Sequence, residues 1–190
     1  MKTDIILAGV GGQGILSIAT IIGSAALADG LRLKQAEVHG MSQRGGDVQS
    51  NLRISDKPIA SDLIPLGEAD LIISLEPMEA LRYVPYLAEN GWIVTNTTPF
   101  VNIPDYPDME AIKEELGRFP NVVAFDMDAV AKEVASARAA NMVLLGAAAP
   151  YVGMPVEKLE QAICNVFSRK GEAIVESNLK AFRAGLNHKS

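Results

Sequence analysis

The stretch Ile5-Ile6-Leu7-Ala8-Gly9-Val10-Gly11-Gly12-Gln13-Gly14-Ile15 decides the fold. Its apolar run, Ile5 to Ala8, reads as a buried strand, the glycines as a turn, and the second apolar run, Ile15 to Leu27, as a helix. Gly9, Gly11 and Gly14 keep the G-x-G-x-x-G spacing. The first glycine permits a tight turn, the second lets backbone approach a ligand, and the third lets helix lie on strand. Gly12 adds a fourth position without a side chain. A helix that starts here aims unpaired N–H groups and the positive end of its dipole at the turn. Gly9, Gly11, Gly12, Gln13 and Gly14 are therefore a candidate turn for phosphate or carboxylate. The same spacing also serves the plain packing of helix on sheet.

Outward from this turn, Gln13 to Asp29 is almost all apolar or small, which predicts a helix buried on most sides and stopped by Asp29-Gly30. Leu31 to Val38 reads as a strand, and Glu37 lies near the distance from the glycines at which a Rossmann fold places its ribose-binding acid. His39 to Gly46 has neither helical nor strand period and reads as a loop. Asp47 to Ile54 alternates like a strand with one wet face, which suits a sheet edge. Ala69 to Leu75 reads as a core strand ending at Glu76, and Pro77 is well placed to open a helix. Trp92 to Thr97 is the next strand. Thr98 to Pro107, with three prolines, reads as an extended connection. Asp108 caps a short helix, Val122 to Phe125 is a strand, and Asp128 precedes a helix. Asn141 to Tyr151, Pro155 to Phe167 and Gly171 to Ala184 read as three closing helices. The alternation predicts an α/β fold: a Rossmann-like, doubly wound, mainly parallel sheet with extra C-terminal helices, in a single domain over 1–190.

The formal net charge of −6 disfavours nucleic acid or an anionic membrane as partner, since no basic cluster interrupts it. No apolar stretch is long enough to span a bilayer, and the chain opens directly on a core strand, so a cytoplasmic location is expected. Cys164 is the single cysteine. It excludes an internal disulfide and cannot alone supply the thiolates of an iron–sulfur cluster, so any redox centre must come from another chain. Its place near an apolar stripe reads as core.

Chemistry is expected mainly in the loop His39-Gly40-Met41-Ser42-Gln43-Arg44-Gly45-Gly46, which leaves the carboxyl end of a strand beside the glycine turn, where ligands of such sheets collect. Arg44 offers a planar fork of donors for carboxylate or phosphate. His39 has no second histidine near it, so no metal site is expected. Ser42-Gln43 is not a nucleophile elbow, and hydrolysis has no support. Glu76 either meets a ligand at its strand end or simply precedes a proline-started helix. Asn141 reads as an N-cap.

The two motifs together, Gly9-Val10-Gly11-Gly12-Gln13-Gly14 and Glu37-Val38-His39-Gly40-Met41-Ser42-Gln43-Arg44-Gly45-Gly46, give the chain a resemblance to the gamma-type subunits of 2-oxoacid:ferredoxin oxidoreductases. Leu75-Glu76-Pro77-Met78-Glu79-Ala80, Asn141 to Gly146 and Asn178 to Phe182 are also similar, so the likeness covers essentially the whole chain. Within the family, the wording His-Gly-Met-Ser-Gln-Arg-Gly-Gly is similar to the small, beta subunits of the indolepyruvate type. Pyruvate enzymes carry a loop ending in Arg-Arg-Gly. The resemblance implies a heteromer that decarboxylates arylpyruvates oxidatively to aryl-acetyl-coenzyme A and passes electrons to ferredoxin. It implies no cofactor in this chain, with thiamine diphosphate, Mg and [4Fe-4S] clusters in the large alpha subunit and coenzyme A as co-substrate. It identifies no catalytic residue here; Arg44 and the two motifs are candidate contacts to the active-site region or the subunit interface. The alternatives are a gamma subunit of a pyruvate or 2-oxoglutarate enzyme, and an independent NAD-binding oxidoreductase, which lacks a convincing ribose site.

Overall fold

The computed structural model describes residues 1–39 and 45–188. Its elements run β1 (Lys2–Val10), α1 (Ile15–Ala28), β2 (Arg32–His39), β3 (Asp47–Ser55), β4 (Ala69–Ser74), α2 (Pro77–Arg82), β5 (Leu87–Asn96), α3 (Met109–Leu116), β6 (Val122–Phe125), α4 (Met127–Val134), α5 (Ala140–Ala148), α6 (Val156–Phe167) and α7 (Glu172–Leu186). The strands form one sheet in the order β2-β3-β1-β4-β5-β6. β1, β4, β5 and β6 are parallel neighbours, and β3 runs antiparallel to both β1 and β2.

Alternation along β1 places Ile5 and Leu7 on one side of the sheet, where they pack with α1 and α4 to α7. Ile6 and Ala8 face the other way, with Ile64, Ile72 and Tyr83, while α2 and α3 close over Ile93 on that same side. The chain thus leaves β1 toward one face and leaves β4 toward the other. A crevice opens between such diverging connections, outside the carboxyl ends of the strands.

The strands and helices expected from the sequence are present, with three corrections. First, β3 is not an edge strand: it lies between β2 and β1, and β2 forms the edge. Its alternating polarity reflects polar contacts made under cover, not water. Arg53 donates to both carboxylate oxygens of buried Asp4, at 2.8 and 3.0 Å, and to the backbone carbonyls of Ser61 and Leu63, while the side-chain amide oxygen of Asn51 accepts the Ile64 N–H. Second, this insertion undoes the ribose-acid reading of Glu37, because the strand that carries it no longer adjoins β1. Third, the α4 cap is Asp126, whose carboxylate accepts the Ala129 N–H at 2.8 Å, and Asp128 lies inside the first turn. Two boundaries also move. His39 is the last residue of β2, paired with Val48, and Cys164 is half-buried at the margin of the core.

The Asp126 cap makes a first prediction. The Ala129 N–H, then the Thr98 hydroxyl and Lys132, hold its carboxyl below the usual value. A depressed folded value means that the cap stabilises the chain above the ordinary carboxylate range and loses that contribution as pH falls through the depressed value. Asp126→Ala is expected to cost about 1 kcal/mol at neutral pH. Denaturant melts of both chains should converge on acidification; a gap that persists at low pH would contradict the cap.

Among the described residues, no helix is long and apolar enough to cross a membrane.

Candidate functional site

The crevice predicted by the topology is a cleft of about 610 Å³ walled by Gly12, Gln13 and Gly14, by Leu75 after β4, by Asn96, Thr98, Pro99 and Phe100 after β5, and by α4, α5 and the turn between them. The glycine turn is one of its walls, and the turn's parts do different work. Gln13 folds its side chain back into the protein: its amide oxygen accepts the Val10 N–H at 2.7 Å and its amide nitrogen donates to the Leu75 carbonyl at 3.3 Å. This stitches the turn to the ends of β1 and β4. A Cβ on Gly9 would stand 2.9 Å from that amide oxygen and 3.0 Å from Ile15, so a side chain there would push Gln13 out of these bonds. The Gly11 N–H is spent on the Gly46 carbonyl at 2.9 Å. Gly12 and Gly14 sit at φ 101° and 92°, where a side chain is strained, and both border the cleft.

Gly14 is also where the far end of the chain enters. A Cβ there would lie 2.8 Å from the Asn141 amide nitrogen, which donates to the Gly14 carbonyl at 3.4 Å. Asn141 is therefore not the N-cap of α5, a place taken by Ala139; it is a wall of the cleft. Sequence gave no signal for this pairing, because 127 residues separate the two partners.

Asn96, buried at the end of β5, organises the opposite wall. Its amide oxygen accepts the N–H groups of Thr98 and Met127, and its amide nitrogen donates to Asp128 at 2.7 Å. Lys132 and Arg138 stand exposed at the rim. The cleft thus combines two cations, one carboxylate, a side-chain amide and a glycine turn at a helix N-terminus. That set suits a ligand with anionic oxygens at one end.

The last two residues of the second motif are fastened next to two walls of this site. Gly46 bonds to Gly11, and the Gly45 carbonyl accepts from the Asn102 amide at 2.7 Å. Gly40, Met41, Ser42, Gln43 and Arg44 lie outside the described residues. Acidic groups gather near Asp47, which follows Gly46. Glu79, buried, is pushed up by burial against the opposing pull of its ion pair with Arg82 at 2.8 Å. Burial, with Asp47 and Glu79 nearby, pushes the Tyr83 phenol up to about 12.

Glu76 is wholly buried and is a hub that the sequence left undecided. It caps α2 by accepting the Glu79 N–H at 2.8 Å, and it also accepts the Phe100 N–H at 3.3 Å and the Tyr106 hydroxyl. Burial first, and then that bond, push the Tyr106 phenol well above its ordinary value. Among the described residues, no three His, Cys, Asp or Glu side chains are grouped to hold a metal ion.

With this geometry in place, the chain can be set beside known proteins. The model of the family described as pyruvate ferredoxin/flavodoxin oxidoreductase matches residues 4–188. The indolepyruvate oxidoreductase subunit IorB of Archaeoglobus fulgidus is 39% identical over 196 residues, covering 98% of this chain and 95% of that one. The common gamma subunit of the pyruvate/ketoisovalerate oxidoreductases of Pyrococcus abyssi is 32% identical over 179 residues, covering 92% and 90%. Among solved structures, the 2-oxoglutarate:ferredoxin oxidoreductase of Magnetococcus marinus, with 2-oxoglutarate, coenzyme A and succinyl-CoA bound, matches 97% of this chain and 30% of its own with TM-score 0.75. At 24% identity, that likeness concerns the fold.

Proposed function

The chain belongs to the pyruvate ferredoxin/flavodoxin oxidoreductase family, and from that premise we propose that it is the small subunit of an indolepyruvate-type enzyme, which oxidatively decarboxylates aryl 2-oxoacids to aryl-acetyl-coenzyme A and reduces ferredoxin. The observation that carries this reading is the 39% identity to an indolepyruvate subunit along nearly the whole of both chains. The loop wording from His39 to Gly46 agrees with it. A single cysteine leaves the iron–sulfur clusters to the large alpha subunit, and we assign thiamine diphosphate and Mg to that subunit as well. The assembled enzyme is placed in the cytoplasm, with this chain contributing one gamma-type domain over 1–190.

Coenzyme A is the co-substrate that the cleft fits. Its phosphates match the rim cations Lys132 and Arg138, the Asn141 amide and the backbone at Gly12 and Gly14. The polar walls orient the coenzyme by its anionic end; its thiol supplies the acyl acceptor when bound. Gly9 and Gln13 serve this site from behind, by holding the turn in shape. The gamma-subunit reading for a pyruvate enzyme rests on the 32% identity to the Pyrococcus abyssi chain and is separated by substrate preference.

The test is co-expression with the large subunit and assay of the isolated complex with indolepyruvate, phenylpyruvate, pyruvate and 2-oxoglutarate. Aryl oxoacids are expected to turn over best; a preference for pyruvate would move the chain to the second reading. In the same complex, Lys132→Ala and Asn141→Ala are each expected to raise the KM for coenzyme A roughly 5- to 30-fold, the equivalent of about 1 to 2 kcal/mol. An unchanged KM in both would remove coenzyme A from the cleft.

A further inference from the structure

Residues 97–107 carry the chain from β5 to α3 as a strap with no helical or strand structure, and Thr98, Pro99 and Phe100 of this strap form one wall of the cleft. The ladder reaches only the first residue of this connection, where the Thr97 N–H donates to the Phe125 carbonyl at 3.0 Å; beyond it the wall has no strand neighbour to hold it. The strap instead hangs on three polar anchors. At its start, buried Asn96 receives the Thr98 N–H, and the Thr98 hydroxyl donates to Asp126 at 2.9 Å. At Asn102, its side chain reaches the Gly45 carbonyl. Between and beyond these, the strap is tied down at two points, Phe100 and Tyr106, to a single group, the Glu76 carboxylate.

That carboxyl group is 0% exposed, so its oxygens depend on protein donors alone. One oxygen accepts the Glu79 N–H in the first turn of α2; the other accepts both strap donors. The N-cap of a short helix needs only the first of these bonds. An N-cap Ser or Asp would meet that need, whereas the longer glutamate side chain also reaches across to the strap. Asn96 and Glu76 grip opposite ends of the Thr98–Phe100 wall, at the carboxyl ends of β5 and β4 respectively.

We propose that Glu76 is a positioning residue for coenzyme A: it latches the strap so that the Thr98–Phe100 wall of the cleft is preformed, and it does so without touching the ligand. The proposal rests on the reading of the cleft as the coenzyme site. Loss of the latch leaves the wall mobile, and the coenzyme must then order it on binding, which weakens affinity while leaving the chemical step at saturation unaltered.

The experiment uses the assembled complex carrying Glu76→Gln or Tyr106→Phe. Tyr106→Phe removes one latch bond and spares the α2 cap, so it reports on the latch even where the buried Glu76→Gln change impairs folding. Both variants are expected to speed amide hydrogen exchange in 98–106 and to raise the KM for coenzyme A about tenfold, with kcat at saturating coenzyme and the KM for the oxoacid unchanged. Unchanged exchange in Tyr106→Phe would overturn the latch. Faster exchange with an unchanged coenzyme KM would overturn the positioning role if Lys132→Ala does raise that KM. If Lys132→Ala and Asn141→Ala both leave it unchanged too, the coenzyme reading of the cleft falls along with the proposal.

Discussion

Replacing Gly146 by alanine is expected to destabilise the chain by roughly 3 to 5 kcal/mol, close to the upper end of single-substitution effects. α5 and α7 cross with their backbones in contact. A Cβ on Gly146 would stand 1.9 Å from the Phe182 carbonyl oxygen, and a Cβ on Gly185 would stand 1.9 Å from the Val143 carbonyl oxygen. Ordinary contact begins near 3.4 Å, so the helices would have to part by more than an ångström along that line. The obstructing atoms are backbone, which cannot rotate away. Parting the helices would also open the layer of Met142, Val143, Ala181 and Phe182, all buried. For a chain of this size the cost corresponds to a fall of roughly 10 °C in Tm. Gly171→Ala is the control. It stands at φ 96° and ψ 158° with nothing within 4 Å of an added Cβ, so only backbone strain of about 1 to 3 kcal/mol is expected there. Equal melting shifts in the two variants would show that close helix approach is not what Gly146 provides.

This contact also shows where reading the sequence stops. The apolar runs of β1, β4 and β6 and the glycine turn were legible because each is a local pattern whose period or composition has one structural solution. The stripe of α5 was equally legible as buried, since it is apolar all round, but nothing in it marks Gly146 as a crossing point: the partner backbone lies at 182–186. The same limit explains the cleft. Gly12 and Gly14 were readable from their spacing, while Asn96, Asn141, Lys132 and Arg138 join them only after three-dimensional closure. The misreading of β3 has another origin. Alternating polarity reads as a sign of water, yet Asn51 and Arg53 face a covering loop whose carbonyls and N–H groups need polar partners. Buried polar alternation and solvated alternation look identical in sequence. Glu76 lies between these cases: its place before Pro77 marks a helix start and leaves its role open, and its two strap donors, 24 and 30 residues downstream, carry no local trace.

Arg44→Ala, made in the assembled complex, is expected to lower arylpyruvate turnover or affinity by about one and a half to nearly four powers of ten. The residue itself lies outside the described residues, and its neighbours and its chemistry carry the expectation. Gly45 and Gly46, which follow it, are fastened to Asn102 and to Gly11, and so the segment re-enters the fold beside the glycine turn. Gly46 thus lies beside the carboxyl end of β1, where the diverging connections open the cleft. The planar fork of Arg44 suits the carboxylate or phosphate of substrate, coenzyme or the large subunit, and leaving such a partner unpaired in a dry site costs roughly 2 to 5 kcal/mol. Lysine keeps the charge and loses the fork, so Arg44→Lys is expected to impair turnover already. The folding of the chain should scarcely respond, because a side chain of this loop contributes little to the core; a change within about 0.5 kcal/mol is expected. Separating the two readouts is what makes the test decisive. Lost turnover with an unshifted melt places Arg44 at the site, and the behaviour of Arg44→Lys distinguishes fork geometry from bare charge. Undiminished turnover, or turnover lost together with the fold, would return the loop to an ordinary connection between β2 and β3.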